Sequence, residues 1–341
     1  MLAAADPRPV PATAGQAMMQ AIVQRRYGTE PEDVFRFEQV AKPTAAPGEV
    51  LIRVRAAGVD KGTWRLMAGN PRLMRVVGFG LRAPKYLVPG WAVAGTIEAV
   101  GADVTGLAPG DEVFGTCRGS FAEYAVTLPS RLAPKPAGLT YEQAAALPPS
   151  ASTALQAVRD KAKVQPGQHV LVIGASGGVG SFAVQLAKAF GAEVTGACST
   201  AKMDLVRAIG ADHVVDYTRE DPTAGQHRYD VVIDIAGNRP VTHLRRILAP
   251  NGTLVIAGGD GLWLGGMGRN IRAQLLSPCV SQRLTALLAS ESRADLITLA
   301  GLTDSGAITP AVERTYPLSQ AAAALRHLAD GRVRGKVVIT I

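Results

Sequence analysis

One stretch constrains the fold of this chain more than any other: residues 170–202, VLVIGASGGVGSFAVQLAKAFGAEVTGACSTAK. It opens on a short apolar, β-branched run, Val170–Ile173, which predicts a strand buried on both faces. After a glycine-rich turn, apolar residues at helical spacing from Phe182 to Phe190 predict a helix that Gly191 ends. A second strand is predicted over Glu193–Ala197. The predicted order is therefore strand, glycine turn, helix, strand.

The glycine turn reads A-S-G-G-V-G and departs from the G-x-G-x-x-G pattern by one methyl group, at Ala175. In such a turn one glycine permits the tight bend, one lets the backbone approach a pyrophosphate, and one lets helix and strand pack closely. The helix N-terminus favours the anion. A purely structural glycine turn is the alternative, but the flanking strand and helix favour dinucleotide binding. The predicted cofactor-binding residues of this turn are Ala175, Ser176, Gly177, Gly178, Val179 and Gly180.

Strands and helices alternate over residues 150–290, which predicts a doubly wound parallel sheet with helices on both faces, an α/β Rossmann domain. The strands are predicted at Val170–Ile173, Glu193–Ala197, His213–Val215, Val231–Ile235 and Thr253–Ala257. Asn238 and Gly258 follow the fourth and fifth of these strands, at the carboxyl edge where ligands bind in such sheets. We predict that both contact the cofactor.

The flanking regions follow another pattern. Residues 20–149 are β-rich, with alternation in EVLIRVRAAGV and short glycine-bounded strands such as GDEVFG. Residues 291–341 predict a helix over Ser319–Asp330 and a last strand, KVVITI, whose apolar character predicts that it returns to the first domain. Residues 1–19 are rich in Ala and Pro, lack the features of a secretory signal, and are expected to form a disordered leader.

Composition excludes several classes of protein. The net charge is +8, but the Lys and Arg residues are scattered and aromatic residues are few, so nucleic-acid binding is not expected. No apolar run approaches the roughly 20 residues that span a bilayer. Cys117, Cys198 and Cys279 lie far apart, which argues against a disulfide framework and for a reducing, cytoplasmic compartment.

The end of the second predicted strand indicates which cofactor is used. NAD-binding domains place an acidic residue about 20 residues past the glycines, but here Cys198 stands at that position. Ser199, Thr200 and Lys202 follow, and two hydroxyls and an ammonium can donate to a 2′-phosphate. The Ser-Thr pair also suits the N-cap of a helix, a role compatible with the first. The sequence therefore predicts NADPH rather than NADH.

These residues and others resemble the medium-chain dehydrogenase/reductase superfamily, and within it the zinc-free quinone oxidoreductase, zeta-crystallin-like, branch. The resemblance rests on AAGVDKGTWRLMAG, VPGWAVAGTIEAVGADVTGLAPGDEVFG, GSFAEYAV, the glycine turn, IGADHVVDY and GRVRGKVVITI. It implies a GroES-like catalytic domain completed by the chain terminus, a Rossmann NADP(H)-binding domain, and a homodimer. It also implies that Tyr217 covers the adenosine phosphate and that Thr153 lies beside the nicotinamide.

The resemblance also identifies where zinc-containing members carry their metal ligands. Those positions correspond here to Asp60, Trp91 and Ala92, and a further ligand position near Pro149 offers no Cys or Asp. A catalytic zinc needs about three protein ligands of the Cys, His or carboxylate type, and a structural zinc needs four cysteines where only Cys117 stands. We therefore predict that the protein binds no metal.

Without zinc there is no Lewis acid to turn an alcohol into an alkoxide. The prediction is an NADPH-dependent reductase that transfers hydride to a small-molecule quinone or α,β-unsaturated carbonyl, with the proton from water or an unassigned side chain. Two alternatives stay open: an enoyl reductase acting on an acyl thioester, and an NADPH-binding protein without turnover.

Candidate catalytic groups are less specific than the cofactor motif. Asp60 stands where zinc-free relatives commonly carry Asn, and an Asp there donates a hydrogen bond only when protonated; a structural turn carboxylate is the alternative. Trp64, Trp91 and Tyr86 are candidates for an aromatic pocket, or alternatively core residues. Asp60, Trp64 and Thr153 are the predicted catalytic residues.

Overall fold

The computed structural model describes residues 16–225, 227–259 and 267–341. The first fifteen residues of the predicted leader lie outside the described residues. The strands of the described residues are β1 (Met18–Gln24), β2 (Phe35–Ala41), β3 (Val50–Val59), β4 (Ala92–Val100), β5 (Glu112–Thr116), β6 (Tyr124–Thr127), β7 (Leu132–Pro134), β8 (His169–Ile173), β9 (Glu193–Cys198), β10 (His213–Asp216), β11 (Tyr229–Asp234), β12 (Leu248–Ile256), β13 (Arg283–Ala286), β14 (Val312–Pro317) and β15 (Lys336–Thr340).

The α-helices of the described residues are mostly short. They are α1 (Pro31–Val34), α2 (Lys61–Ala68), α3 (Arg72–Met74), α4 (Tyr141–Ala146), α5 (Ser150–Leu155), α6 (Gly178–Ala189), α7 (Met203–Ala208), α8 (Val241–Arg246), α9 (Met267–Leu276), α10 (Arg293–Asp304) and α11 (Ala321–Ala329). Two π-helical segments, Arg75–Phe79 and Gln156–Ala162, directly follow α3 and α5. In the described part of the chain no helix is both long and apolar enough to cross a membrane.

The chain forms two compact units. The first consists of the chain up to Pro149 together with Glu291–Asp304 and Val312–Ile341. The second consists of Ser150–Ser290 and Ser305–Ala311. The sequence prediction assigned all of residues 291–341 to the catalytic domain, and Ser305–Ala311 departs from it.

The second unit contains a parallel sheet with the strand order β10-β9-β8-β11-β12-β13. The chain builds outward from β8 to one side through β9 and β10, and then to the other side through β11, β12 and β13. This is the doubly wound α/β arrangement, and the predicted fold class is confirmed. The inner strands are fully buried runs of Val, Leu and Ile, as expected for a sheet covered on both faces. The sixth strand, β13, was not predicted.

The first unit is built on a seven-stranded sheet with the order β14-β15-β3-β4-β5-β7, in which β6 also pairs with β3. The terminal strand β15 pairs antiparallel with β3, with Val337 opposite Val59. A separate two-stranded sheet joins β1 and β2. Because β1 begins at Met18 and pairs with β2 along its whole length, the predicted leader boundary at residue 19 is wrong by two residues.

Candidate cofactor and acceptor sites

The glycine turn of the second unit connects β8 to α6. Gly174 takes the positive φ of +89° that the bend requires, and Gly177 is the N-cap of α6. The Ser181 N–H donates to the Gly177 carbonyl at 2.8 Å, which is the first bond of the helix. The N–H groups of residues 178–180 lie before this first bond and have no acceptor within the helix. They are the donors that a helix N-terminus offers to an anion.

Two glycines of the turn have different surroundings. A Cβ built on Gly180 would lie 2.0 Å from the Gly174 carbonyl oxygen, so helix and turn pack too closely there for any side chain. A Cβ built on Gly177 would lie 3.5 Å from that oxygen, which is ordinary van der Waals contact. Gly180 is therefore required by the fold itself, whereas none of the described residues forbids a methyl group at Gly177.

This difference predicts opposite outcomes for two matched substitutions. Gly180→Ala is expected to lower the free energy of unfolding by about 1–3 kcal/mol, because the backbone must move to admit the methyl group. Gly177→Ala is expected to cost no more than about 1 kcal/mol, the penalty of alanine at an N-cap, but to weaken dinucleotide binding, because the methyl group occupies the approach of the pyrophosphate. Urea unfolding and cofactor titration of both variants give the comparison. Equal losses of stability would show that the two glycines do not have separate roles.

Ala175 and Ser176 lie inside the turn rather than on its open side. Ala175 is fully buried, and its N–H donates to the Ala197 carbonyl at 3.1 Å. A Cβ built on Gly196 would lie 3.1 Å from the Ala175 methyl group. The Ala175 N–H is thus used within the protein, and its contribution to the site is to pack β8 against β9. Ser176 is also buried, with 7% of its surface exposed.

The residues after β9 form a single 3₁₀ turn, Thr200–Lys202, that leads into α7. The Lys202 N–H donates to the Ser199 carbonyl at 2.9 Å. The Ser199 side chain makes no capping hydrogen bond, so the N-cap alternative for its hydroxyl is wrong. Ser199 and Lys202 are both half-buried.

The Thr200 hydroxyl has a partner that the sequence did not indicate. It donates to Asp216 Oδ2, while the Thr218 N–H and hydroxyl donate to Asp216 Oδ1 at 3.0 and 2.7 Å. These hydrogen bonds, that of Thr200 foremost, hold the pKa of Asp216 below its usual range. The Thr200 hydroxyl therefore donates its hydrogen bond to a carboxylate. This arrangement does not support the expectation that it donates to a phosphate.

Asp216 places a carboxylate beside the end of β9, although Cys198 stands at the position that is acidic in NAD-binding domains. In the parallel register of β10 and β9, Asp216 stands directly opposite Cys198. Asp216 could have been identified from the sequence only by aligning the register of the two adjacent parallel strands. Tyr217 follows at once, with its N–H donating to the Cys198 carbonyl at 3.0 Å and 48% of its surface exposed.

Two of the remaining predicted residues of this unit follow strands of the sheet, and the third, Thr153, lies in a helix. Asn238 is exposed after β11, and Gly258 follows β12 with its N–H donating to the Asp234 carbonyl at 3.1 Å. Asp234, fully buried, also accepts from the Gly237 N–H at 3.0 Å and pairs with Arg269 of α9 at 2.5 Å. Sequence reasoning missed this buried ion pair. Thr153 lies in α5 and is half-buried.

The first unit contains a pocket that is partly open to solvent. Its lining is mainly aromatic and aliphatic, and it includes Tyr86 and Trp91, two of the predicted pocket residues. Trp64 is not part of it, and packs instead against the core between α2, α11 and β15. The lining is Gln24, Tyr27, Thr63, Leu66, Met67, Phe79, Pro84, Lys85, Tyr86, Val88, Pro89, Gly90, Trp91, Arg118 and Gly119.

Asp60 has a structural role in this arrangement. It is the N-cap of α2, with Oδ1 accepting from the Thr63 N–H at 2.8 Å. Its Oδ2 is buried and accepts no hydrogen bond from the described residues.

Lys336 is a buried lysine near Asp60, with 2% of its surface exposed. Its ammonium donates to the Val59 carbonyl at 3.2 Å. Burial lowers the pKa of this ammonium, and the charge of Asp60 opposes that effect. Sequence reasoning missed Lys336.

The positions corresponding to zinc ligands carry no ligand set. Trp91 donates its indole N–H to Glu291, which also pairs with Arg131 at 3.2 Å. Ala92 is fully buried at the start of β4, and the thiol of Cys117 is buried with a raised pKa, caused first by that burial. In the described ranges no three His, Cys, Asp or Glu side chains are grouped to hold a metal. The residues present do not fit a zinc ion.

Comparison with protein families gives two matches in chain order. Residues 46–137 match the alcohol dehydrogenase GroES-like domain, and residues 209–339 match the zinc-binding dehydrogenase family. The first match lies within the first unit, and the second covers part of the Rossmann sheet and the returning terminus.

Individual relatives match along nearly the whole chain. The mitochondrial NAD(P)H oxidoreductase RTN4IP1 of Mus musculus is 32% identical, over 96% of this chain and 91% of its own. The 2-methylene-furan-3-one reductase of Solanum lycopersicum is 31% identical, over 94% of this chain and 79% of its own. The solved structure of a quinone oxidoreductase from Coxiella burnetii superimposes with a TM-score of 0.84 at 27% identity, covering 95% of this chain and 100% of that one. The glycine turn, the doubly wound sheet and these matches show that the chain belongs to the medium-chain dehydrogenase/reductase superfamily of oxidoreductases.

Proposed function

We propose that this protein is a zinc-independent, NADPH-dependent reductase of quinones or α,β-unsaturated carbonyls. The observation that carries the proposal is the substitution of Trp91 and Ala92 at the positions of zinc ligands, with Trp91 lining an aromatic pocket. A site of this composition has no Lewis acid to activate an alcohol. It suits an acceptor whose carbon is already electron-poor.

The second unit supplies the cofactor site in this proposal. The N–H groups at the start of α6 bind the pyrophosphate, and Ser199 and Lys202 bind the 2′-phosphate of NADPH. The bound nicotinamide supplies the hydride. Tyr217, Asn238, Gly258 and Thr153 are proposed to contact the cofactor, and Ala175 and Gly180 to fix the shape of the turn.

The first unit supplies the acceptor pocket. Tyr27, Phe79, Tyr86 and Trp91 present aromatic surface to it, and flat conjugated rings stack on such surfaces. The names of the tomato reductase and of the Coxiella quinone oxidoreductase support acceptors of these two kinds. Hydride addition to the acceptor carbon leaves an oxyanion or enolate, which takes one proton from water or from a side chain not yet assigned. Asp60 is proposed as a helix cap rather than as the proton donor.

The metal content provides the first test. The purified protein is expected to contain far less than one zinc per chain, and its activity is expected to survive a chelator, because the zinc-ligand positions offer a single carboxylate that already caps α2. Elemental analysis and activity after treatment with EDTA decide this. Near-stoichiometric zinc together with loss of activity on chelation would contradict the proposal.

Substrate class is tested by NADPH consumption with three kinds of acceptor: quinones, free enones, and enoyl thioesters of N-acetylcysteamine. Turnover of the first two supports the proposal. Turnover restricted to thioesters would favour an acyl-thioester enoyl reductase, and NADPH binding without any turnover would favour a binding protein. Robust oxidation of simple alcohols with no reduction of any enone or quinone would overturn the proposal.

The mouse relative is named as mitochondrial, so a cytoplasmic location stays a prediction.

A further inference from the structure

The acceptor pocket has two cationic side chains in its lining, Lys85 and Arg118. Both lie against Tyr86: the Arg118 guanidinium is 4.5 Å and the Lys85 ammonium 6.0 Å from the centre of its ring. The Phe79 ring meets Tyr86 edge to face, with the two ring centres 6.4 Å apart. One aromatic surface is therefore flanked by two positive charges.

Neither of these cations has an ion-pair partner among the described residues, and the lining contains no Asp or Glu. Two other basic residues of the first unit are engaged: Arg131 pairs with Glu291, and Arg75 donates to the Gly69 and Ala68 carbonyls at 2.9 and 3.1 Å. Glu291 is held by Trp91 and Arg131. The pocket thus has a net positive charge that no carboxylate of its lining offsets.

We propose that the acceptor reduced by this protein is a planar quinone or enone that carries an anionic substituent. Arg118 and Lys85 bind the anion beside Tyr86. This inference rests on the proposed function, because it specifies which acceptors that function uses. The recognised feature is the negative charge, whether it belongs to a carboxylate, a sulfonate or a phosphate.

The test compares 1,4-naphthoquinone with 1,4-naphthoquinone-2-sulfonate, and measures both the KM with NADPH and the Kd by calorimetry without NADPH. In the wild-type protein the sulfonate is expected to bind more tightly. Arg118→Met and Lys85→Met are each expected to raise the KM and Kd of the sulfonate about threefold to tenfold more than those of the neutral quinone. Arg118→Lys, which keeps the charge, is expected to retain most of the preference.

Arg82→Met is the matched control. Arg82 lies three residues before Lys85, is exposed, and is not part of the pocket lining. It removes the same charge from the protein and is expected to leave both quinones unaffected. Added salt is expected to weaken only the sulfonate, since screening acts on the charge–charge attraction.

The two proposals fail separately. Equal binding of both quinones, or equal effects of Arg82→Met and Arg118→Met on the sulfonate, would overturn the inference whether or not turnover occurs. Sulfonate binding that depends on Arg118 and Lys85 but leads to no NADPH oxidation would support the inference about the pocket and overturn the proposed reductase activity.

Discussion

Replacing Lys336 by methionine is expected to lower the free energy of unfolding by about 3–5 kcal/mol. The Lys336 ammonium is buried, donates to the Val59 carbonyl, and lies within the electrostatic influence of Asp60. Methionine fills a similar volume but removes the charge. It leaves Asp60 with a buried Oδ2 that no described residue hydrogen-bonds, and an uncompensated buried charge is among the most destabilising defects in a protein.

Urea unfolding of four proteins measures this effect: wild type, Lys336→Met, Asp60→Asn and the double variant. Because the two charges interact, the double variant is expected to be more stable than the sum of the single losses predicts. Lys42→Met is the matched control, since Lys42 pairs with Glu98 in a partly exposed bridge and is expected to cost no more than about 1 kcal/mol. Additive single losses, or equal losses for Lys42 and Lys336, would contradict the interpretation.

Replacing Lys202 by alanine is expected to weaken NADPH binding about tenfold to a hundredfold, which corresponds to the loss of roughly 1.5–3 kcal/mol for one charge-assisted contact. NADH binding is expected to change little, because NADH has no 2′-phosphate. The prediction rests on the position of Lys202 in the turn directly after β9.

Dissociation constants for both cofactors, in wild type and variant, give the answer. Lys188→Ala is the control. Lys188 lies on α6 and pairs with Asp212 at 2.8 Å. Its replacement removes the same charge from the second unit and leaves the Thr200–Lys202 turn intact. Tighter binding of NADH than of NADPH would be explained by Asp216. If the wild type binds NADH more tightly, the carboxylate at the end of β10 is the residue that selects the ribose, and the assignment of the 2′-phosphate site is wrong.

Local patterns predicted the cofactor-binding unit well, because its determinants are close together in the sequence. The buried β-branched run, the glycine turn and the helix that follows occupy twenty-odd consecutive residues, and each has its own signature. The parallel sheet then follows from alternation of strands and helices. β13 was missed because four residues, RLTA, carry too little pattern to distinguish a strand from a loop.

The candidate sites were predicted less completely, because they depend on contacts between distant residues. Trp91 and Glu291 are 200 positions apart, and Lys336 and Val59 are 277 apart. No local pattern indicates such pairs. Asp216 is a milder case: it lies close to Thr200 in sequence, but its contact with that residue depends on the register of two parallel strands. Trp64 was misplaced because an aromatic residue on an amphipathic helix suits a pocket or a core equally.

The most direct test of the central claim follows the hydride itself. The protein is supplied with an enone and with NADPH deuterated at C4, using the two stereochemical labels in separate reactions, and the product is examined by NMR and mass spectrometry. One of the two labels is expected to appear at the β-carbon, and in a parallel reaction in D₂O with unlabelled NADPH the solvent deuterium is expected at the α-carbon. Reduction of the enone with no label at the β-carbon from either cofactor would contradict direct hydride transfer from the nicotinamide.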